Sequence, residues 1–128
     1  MKILLIEDNP RNAYLVRYIL EHAGFSVDHA GDGPVALKKA DTETYRLVIL
    51  DIQLPGMDGY AVAQALRRQP RTRDLPIIAV TSHAMVGDRE RALQAGCDGY
   101  IEKPIDPVSF IGEIRAALDR NTATAQEA

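Results

Sequence analysis

Residues 47–59 read Leu-Val-Ile-Leu-Asp-Ile-Gln-Leu-Pro-Gly-Met-Asp-Gly, and the first five of them decide the fold. Leu47 to Leu50 is apolar without the alternation of a half-solvated strand. Such a run reads as a strand covered on both faces, the mark of a parallel sheet between two layers of helix. It stops at Asp51, Pro55-Gly56 signals a turn, and Asp58 is a candidate N-cap for a following helix. The same succession recurs along the chain. Ile3-Leu-Leu-Ile6 runs into Glu7-Asp8, Ile77-Ile-Ala-Val80 into Thr81, and Tyr100-Ile101 into Glu102-Lys103-Pro104.

Working outward, the pattern predicts strands near 2–7, 26–30, 46–51, 76–81 and 98–102, and helices near 10–23, 33–43, 58–69, 84–95 and 106–120. The fold class is α/β: a five-stranded parallel sheet flanked by five helices, with the common strand order 2-1-3-4-5. Spacing places Leu15, Val16, Ile19 and Leu20 on one helix face, Val62, Ala65 and Leu66 on another, and Val108, Ile111, Ile114 and Leu118 on a third. Gly24 and Gly96 are read as helix stops, Pro10, Pro34 and Pro107 as first-turn residues, and Asp106 as a further N-cap. Residues 1–120 are expected to form one domain and residues 121–128 a frayed tail or the start of a linker.

Composition agrees with a single soluble domain: 128 residues, 46% of them hydrophobic, Lys+Arg 15 against Asp+Glu 18, net charge -3. The longest apolar runs fall far short of the roughly 20 residues of a membrane span, and no secretory leader precedes the first strand. A cytoplasmic location without a membrane partner is the expectation. The single cysteine, Cys97, excludes an internal disulfide framework and any CxxC site, and is expected to be a small buried residue. The slightly acidic balance offers no overall positive field for nucleic acid.

In an open parallel sheet the carboxyl ends of the strands lie along one edge, where ligands bind. The order 2-1-3-4-5 makes the first and third strands neighbours, so Asp8 and Asp51 stand one strand spacing apart, ~4.8 Å. Thr81 lies one strand further out. Lys103 lies two strands from Asp51, ~10 Å between backbones, a gap a long lysine can close. Carboxylates this close repel by about 4 kcal/mol for a pair ~4 Å apart at an effective dielectric of about 20, so a cation belongs among them. Hard oxygen donors favour Mg2+. Asp51 is then a candidate nucleophile for a phosphoryl group, with Lys103 and Thr81 to neutralise and orient it.

Glu7-Asp8-Asn9, Asp51-Ile-Gln-Leu-Pro-Gly-Met-Asp-Gly59, Thr81-Ser82 and Lys103-Pro104 together resemble the signature set of the response-regulator receiver domain of two-component signalling. The resemblance spans about residues 2–120. It implies that Asp51 is phosphorylated by a histidine kinase or a histidine phosphotransfer protein. Asp8, Asp51 and the Gln53 carbonyl would hold Mg2+, and Glu7 would act through metal-bound water. Lys103, with a cis bond to Pro104, would pair with the phosphoryl group, and Thr81 would hydrogen-bond a phosphoryl oxygen. Tyr100 would be the aromatic switch, while Gln53 and His83 would tune phosphoryl lifetime. A non-enzymatic switch is implied, acting on a protein target through the fourth helix, fifth strand and fifth helix. The expected type is stand-alone, of the DivK or chemotaxis-regulator kind, with no output domain after the fifth helix. A receiver excised from a hybrid histidine kinase or larger regulator, and a phosphorylation-independent pseudo-receiver, are the competing readings.

Other patterns yield to simpler readings. His22, His29 and His83 lack metal-ligand spacing. Arg67, Arg68, Arg71 and Arg73 read as a solvated helix-end turn. Gly31-Asp-Gly33-Pro-Val-Ala36 fits a dinucleotide fingerprint, but Pro34 removes an amide that pyrophosphate needs, leaving a two-glycine turn into a helix. An aspartyl-nucleophile phosphatase would need a second acid two residues beyond Asp51, where Gln53 stands.

Overall fold

The computed structural model describes residues 2–54, 57–81, 86–103 and 105–127. Strands and helices alternate: β1 (Lys2–Ile6), α1 (Pro10–His22), β2 (Ser26–Ala30), α2 (Gly33–Thr42), β3 (Leu47–Asp51), α3 (Gly59–Arg68), β4 (Ile77–Thr81), α4 (Asp88–Gln94), β5 (Gly99–Glu102) and α5 (Pro107–Glu127). The strands are all parallel in the order β2-β1-β3-β4-β5, as the sequence predicts. The Pro55-Gly56 turn, Ser82, His83, the predicted helix start at 84 and the Pro104 peptide bond lie outside the described residues.

Each central strand splits its residues between two cores. Leu4, Ile6, Val48, Leu50, Ile77 and Ala79 face α2, α3 and α4, packing on Ala36, Ala40, Val62, Leu66 and Ala92. Ile3, Leu5, Leu47, Ile49, Ile78 and Val80 face α1 and α5, packing on Ala13, Val16, Leu20, Phe110 and Ile114. Both faces are covered, so alternate residues go to opposite layers and all must be apolar. Cys97 is buried in the first core, as expected.

Helix faces differ from expectation in detail. On α1 the buried stripe is Ala13, Val16 and Leu20, leaving Leu15 52% exposed. On α5, Phe110 takes the place expected of Val108, which is 82% exposed. A small residue such as Ala13, or an aromatic two residues along, shifts the centre of a stripe that counting aliphatics alone misplaces. The last helix also runs to Glu127, past residue 120, where the sequence reading ends it. The stretch after Gly112 has no glycine or proline to stop it, and Ala and Gln sustain helix.

Two sets of cross-ties bind the amino ends of the strands. Lys2 Nζ reaches Glu43 at 2.9 Å and Asp28 at 3.2 Å, and the buried Tyr45 hydroxyl donates to Asp28 at 2.8 Å. Across the sheet, the Arg67 guanidinium donates to the carbonyls of Gly96 at 2.9 Å, Arg73 at 3.0 Å and Leu75 at 2.5 Å, and pairs with Asp98 at 2.9 Å. Asp98 in turn accepts from the Ile77 amide at 2.8 Å. Arg67 is therefore no member of a solvated basic turn, as the sequence reading has it. Its partners are main-chain carbonyls, which a sequence does not display.

Candidate phosphoryl and cation site at the carboxyl edge

The carboxyl ends of β1, β3, β4 and β5 converge where sequence reasoning places them. Glu7 follows the last residue of β1 and is 2% exposed, Asp51 ends β3 at 5%, and Thr81 ends β4 at 3%. Asp8, beside them, is exposed. Carboxylate oxygens of Glu7, Asp8 and Asp51 all lie within 4.8 Å of one another. Lys103 reaches over from the end of β5, where its amide donates to the Thr81 carbonyl at 2.8 Å. Its Nζ stands 2.8 Å from Glu7 Oε1 and 3.7 Å from Asp51 Oδ2. The ammonium thus crosses more of the sheet than the sequence argument requires of it, meeting Glu7 on β1 more closely than Asp51.

Local backbone geometry fixes these side chains. Asn9 caps α1, its Oδ1 accepting from the amides of Arg11 and Asn12, while its own amide donates to Glu7 Oε2 at 3.2 Å. The cap and the pocket therefore share one turn, a link that Asn directly before a first-turn proline signals in the sequence. After β3 the Ile52 amide continues the ladder to the Val80 carbonyl, and the Gln53 amide folds back onto Asp51 Oδ1 at 2.9 Å. Gly59 then passes so close to Ile52 that a Cβ there would lie 2.5 Å from the Ile52 Cα. Glycine is required at that position for the start of α3 to lie this close to the end of β3.

The electrostatics follow from burial. Desolvation, then a hydrogen bond with Glu7, raises the Asp51 carboxyl to about 7, against the Gln53 amide and Lys103. Burial pushes Glu7 upward too, but its hydrogen bonds to Asp51, Lys103 and the Asn9 amide outweigh that and hold it below the ordinary carboxyl value. Of the two carboxyls, Asp51 is therefore the one that favours its proton, below about pH 7. Hard carboxylate oxygens, one of them exposed at the mouth, suit a small divalent cation that retains water.

Tyr100 lies in register with Ala79 on β4, two residues before Thr81, so it shares a sheet face with Thr81. Its ring packs on the core beneath α3 and α4, and its buried hydroxyl has no hydrogen-bond partner among the described residues. Gln53 is exposed beside the pocket. Sequence reasoning missed His29, which contacts the Glu7 carbonyl from β2, and the caps at Asn9 and Asp32.

Fold and edge together define a doubly wound α/β domain whose switch-point pocket joins carboxylates, a lysine and a hydroxyl. Residues 3–115 match the response regulator receiver domain, and the chain belongs to that family, the receiver of two-component signalling. It is 42% identical over 123 residues to the transcriptional activator protein IrlR of Burkholderia pseudomallei, covering 96% of this chain and 52% of that protein. The chain thus spans about half the length of such curated relatives. It is 39% identical over 116 residues to the polar-differentiation response regulator DivK of Brucella anthropi, covering 91% of this chain and 94% of that one. Among solved structures, the receiver domain of the sensor histidine kinase PA1611 of Pseudomonas aeruginosa, with a magnesium ion in its active site cleft, matches with TM-score 0.86 and 36% identity over 92% of this chain and 97% of its own. A CheY-like receiver from Methanospirillum hungatei matches with TM-score 0.87 and 30% identity over 96% and 97%. No described helix is long and apolar enough to cross a membrane.

Proposed function

We propose that this receiver domain accepts a phosphoryl group on Asp51 from the phosphohistidine of a histidine kinase or histidine phosphotransfer protein. The observation that carries the proposal is the buried Asp51 carboxylate, 3.7 Å from the Lys103 ammonium and clustered with Glu7 and Asp8. In the transfer an Asp51 carboxylate oxygen forms the new P–O bond as the P–N bond to the donor imidazole breaks. The imidazole leaves with that electron pair. Asp8, Asp51 and the Gln53 carbonyl would hold Mg2+, with Glu7 acting through water. When bound, the cation neutralises charge on the phosphoryl oxygens. Lys103 exchanges its contact with Glu7 for one with the phosphoryl group, and Thr81 donates its hydroxyl to another phosphoryl oxygen. Tyr100, on the same sheet face as Thr81, carries the change to the α4-β5-α5 surface, which meets a downstream protein. Gln53 and His83 tune how water reaches the acyl phosphate. The reading implies a cytoplasmic setting and no nucleic-acid contact by this domain.

A stand-alone regulator is favoured by the similarity to DivK, which the match covers almost end to end. The similarity to the sensor histidine kinase GacS, 40% identical over 107 residues but only 12% of that protein, supports a receiver carried on a larger kinase. The full reading frame decides between them. Phosphorylation itself is tested by intact mass after incubation with acetyl phosphate and Mg2+. Wild type should gain one phosphoryl group and Asp51→Asn none. Equal labelling of Asp51→Asn would move the acceptor elsewhere, and an unlabelled wild type would favour a pseudo-receiver.

A further inference from the structure

His29 lies on β2, the outermost strand on one side of the sheet, with its Nε2 2.6 Å from the main-chain carbonyl oxygen of Glu7. A carbonyl oxygen only accepts, so Nε2 carries the proton and donates. The place of that carbonyl explains why a side chain serves it. The β1–β2 register ends at Ile6 and Ala30, and the Glu7 amide adds a last rung to the Ala30 carbonyl at 3.0 Å. Beyond Ala30 the chain leaves the sheet to enter α2 behind the Asp32 cap. The ladder has no further strand residue with which to bind the Glu7 carbonyl, and the imidazole takes the place of the next rung. That carbonyl belongs to the planar peptide unit joining Glu7 to Asp8, so its orientation governs where the following carboxylate projects. From the other side, the Asn9 amide holds the Glu7 carboxylate itself.

We infer that His29 is a positioning residue for the acidic pocket: by donating to the Glu7 carbonyl it sets the Glu7–Asp8 peptide and with it the Asp8 carboxylate toward a divalent cation. The inference rests on the reading of the pocket as a Mg2+ site. Half-saturating Mg2+ is measured for wild type, His29→Phe and His29→Gln by thermal-shift titration and by NMR shifts of the Asp8 and Asp51 amides. Melts in EDTA serve as the folding control. Phe keeps a planar ring without the donor, whereas the Gln amide nitrogen reaches about as far as Nε2. His29→Phe should raise the half-saturating concentration about tenfold, the scale on which outer partners of metal ligands act, and His29→Gln should stay within about twofold of wild type. If the Phe variant fails to fold, His29→Asn, whose amide is too short to reach, replaces it with the same expectation. Wild-type affinity in the donor-less variant, or a Gln variant as weak as it, overturns the role of the donated bond. A wild-type protein with no saturable Mg2+ response instead overturns the pocket's assignment, and this inference with it.

Discussion

Two neighbouring carboxyls, Asp51 and Glu7, are driven in opposite directions, and the consequence is a pH dependence of definite sign. Asp51 stands at about 7 in the folded chain against an ordinary 3.8, so its contribution to stability is complete below that lower value and is lost as pH rises through about 7. Glu7, held below its ordinary 4.5, contributes stability that is lost only as pH falls through the acid range. Between about pH 5 and 7.5 the Asp51 effect therefore acts without opposition from Glu7. The melting temperature in EDTA should fall across that window, and saturating Mg2+, which favours the ionised carboxylate, should remove the fall. Flat melts in EDTA would show that Asp51 is already ionised in the folded protein. The residues of this pocket were legible because each is the first or second polar group after an apolar run. His29 was not, since its partner is a main-chain oxygen that any residue could have offered.

At the scale of elements, Arg67 joins the end of α3 to the turn before β4 and to the turn between α4 and β5. Its fork serves several carbonyls at once, and a Cβ at Gly96 would lie 2.8 Å from its Cγ, so glycine and arginine fit one another. Gly96 also has φ 108, a left-handed helix stop that the sequence signals correctly. Arg67→Met leaves the Gly96, Leu75 and Arg73 carbonyls without this donor and should lower unfolding stability by about 2–4 kcal/mol, read by urea denaturation. Arg67→Lys should recover less than half of that, because one ammonium cannot reproduce the planar fork. A loss under about 0.5 kcal/mol for Met, the ordinary range for an exposed residue, would return Arg67 to the solvated turn. Strand order and helix sequence were readable from apolar runs and their punctuation. Which helix residue faces inward was less so: Leu15 is exposed while Ala13 is buried, because the stripe α1 turns to the sheet is Ala13, Val16 and Leu20.

For the whole molecule, the two ends of the sheet are built on opposite terms. At the amino ends, Lys2, Asp28, Glu43 and Tyr45 close one corner and Arg67 with Asp98 closes another, every charge facing an opposite one or a carbonyl. At the carboxyl ends, carboxylates crowd one another around a single lysine. Native-state hydrogen exchange should report this as a gradient along every central strand. The Ile77 and Val48 amides, bonded to Asp98 and to the Pro76 carbonyl, should exchange only through global unfolding. The Asn9, Gln53 and Lys103 amides should open locally and be slowed by Mg2+. Uniform protection from end to end would deny the gradient. The pinned corners also work as a clamped root does for a row of tines: they hold the strands in register at one end, so a charge added at the open edge acts on the groups at the tips.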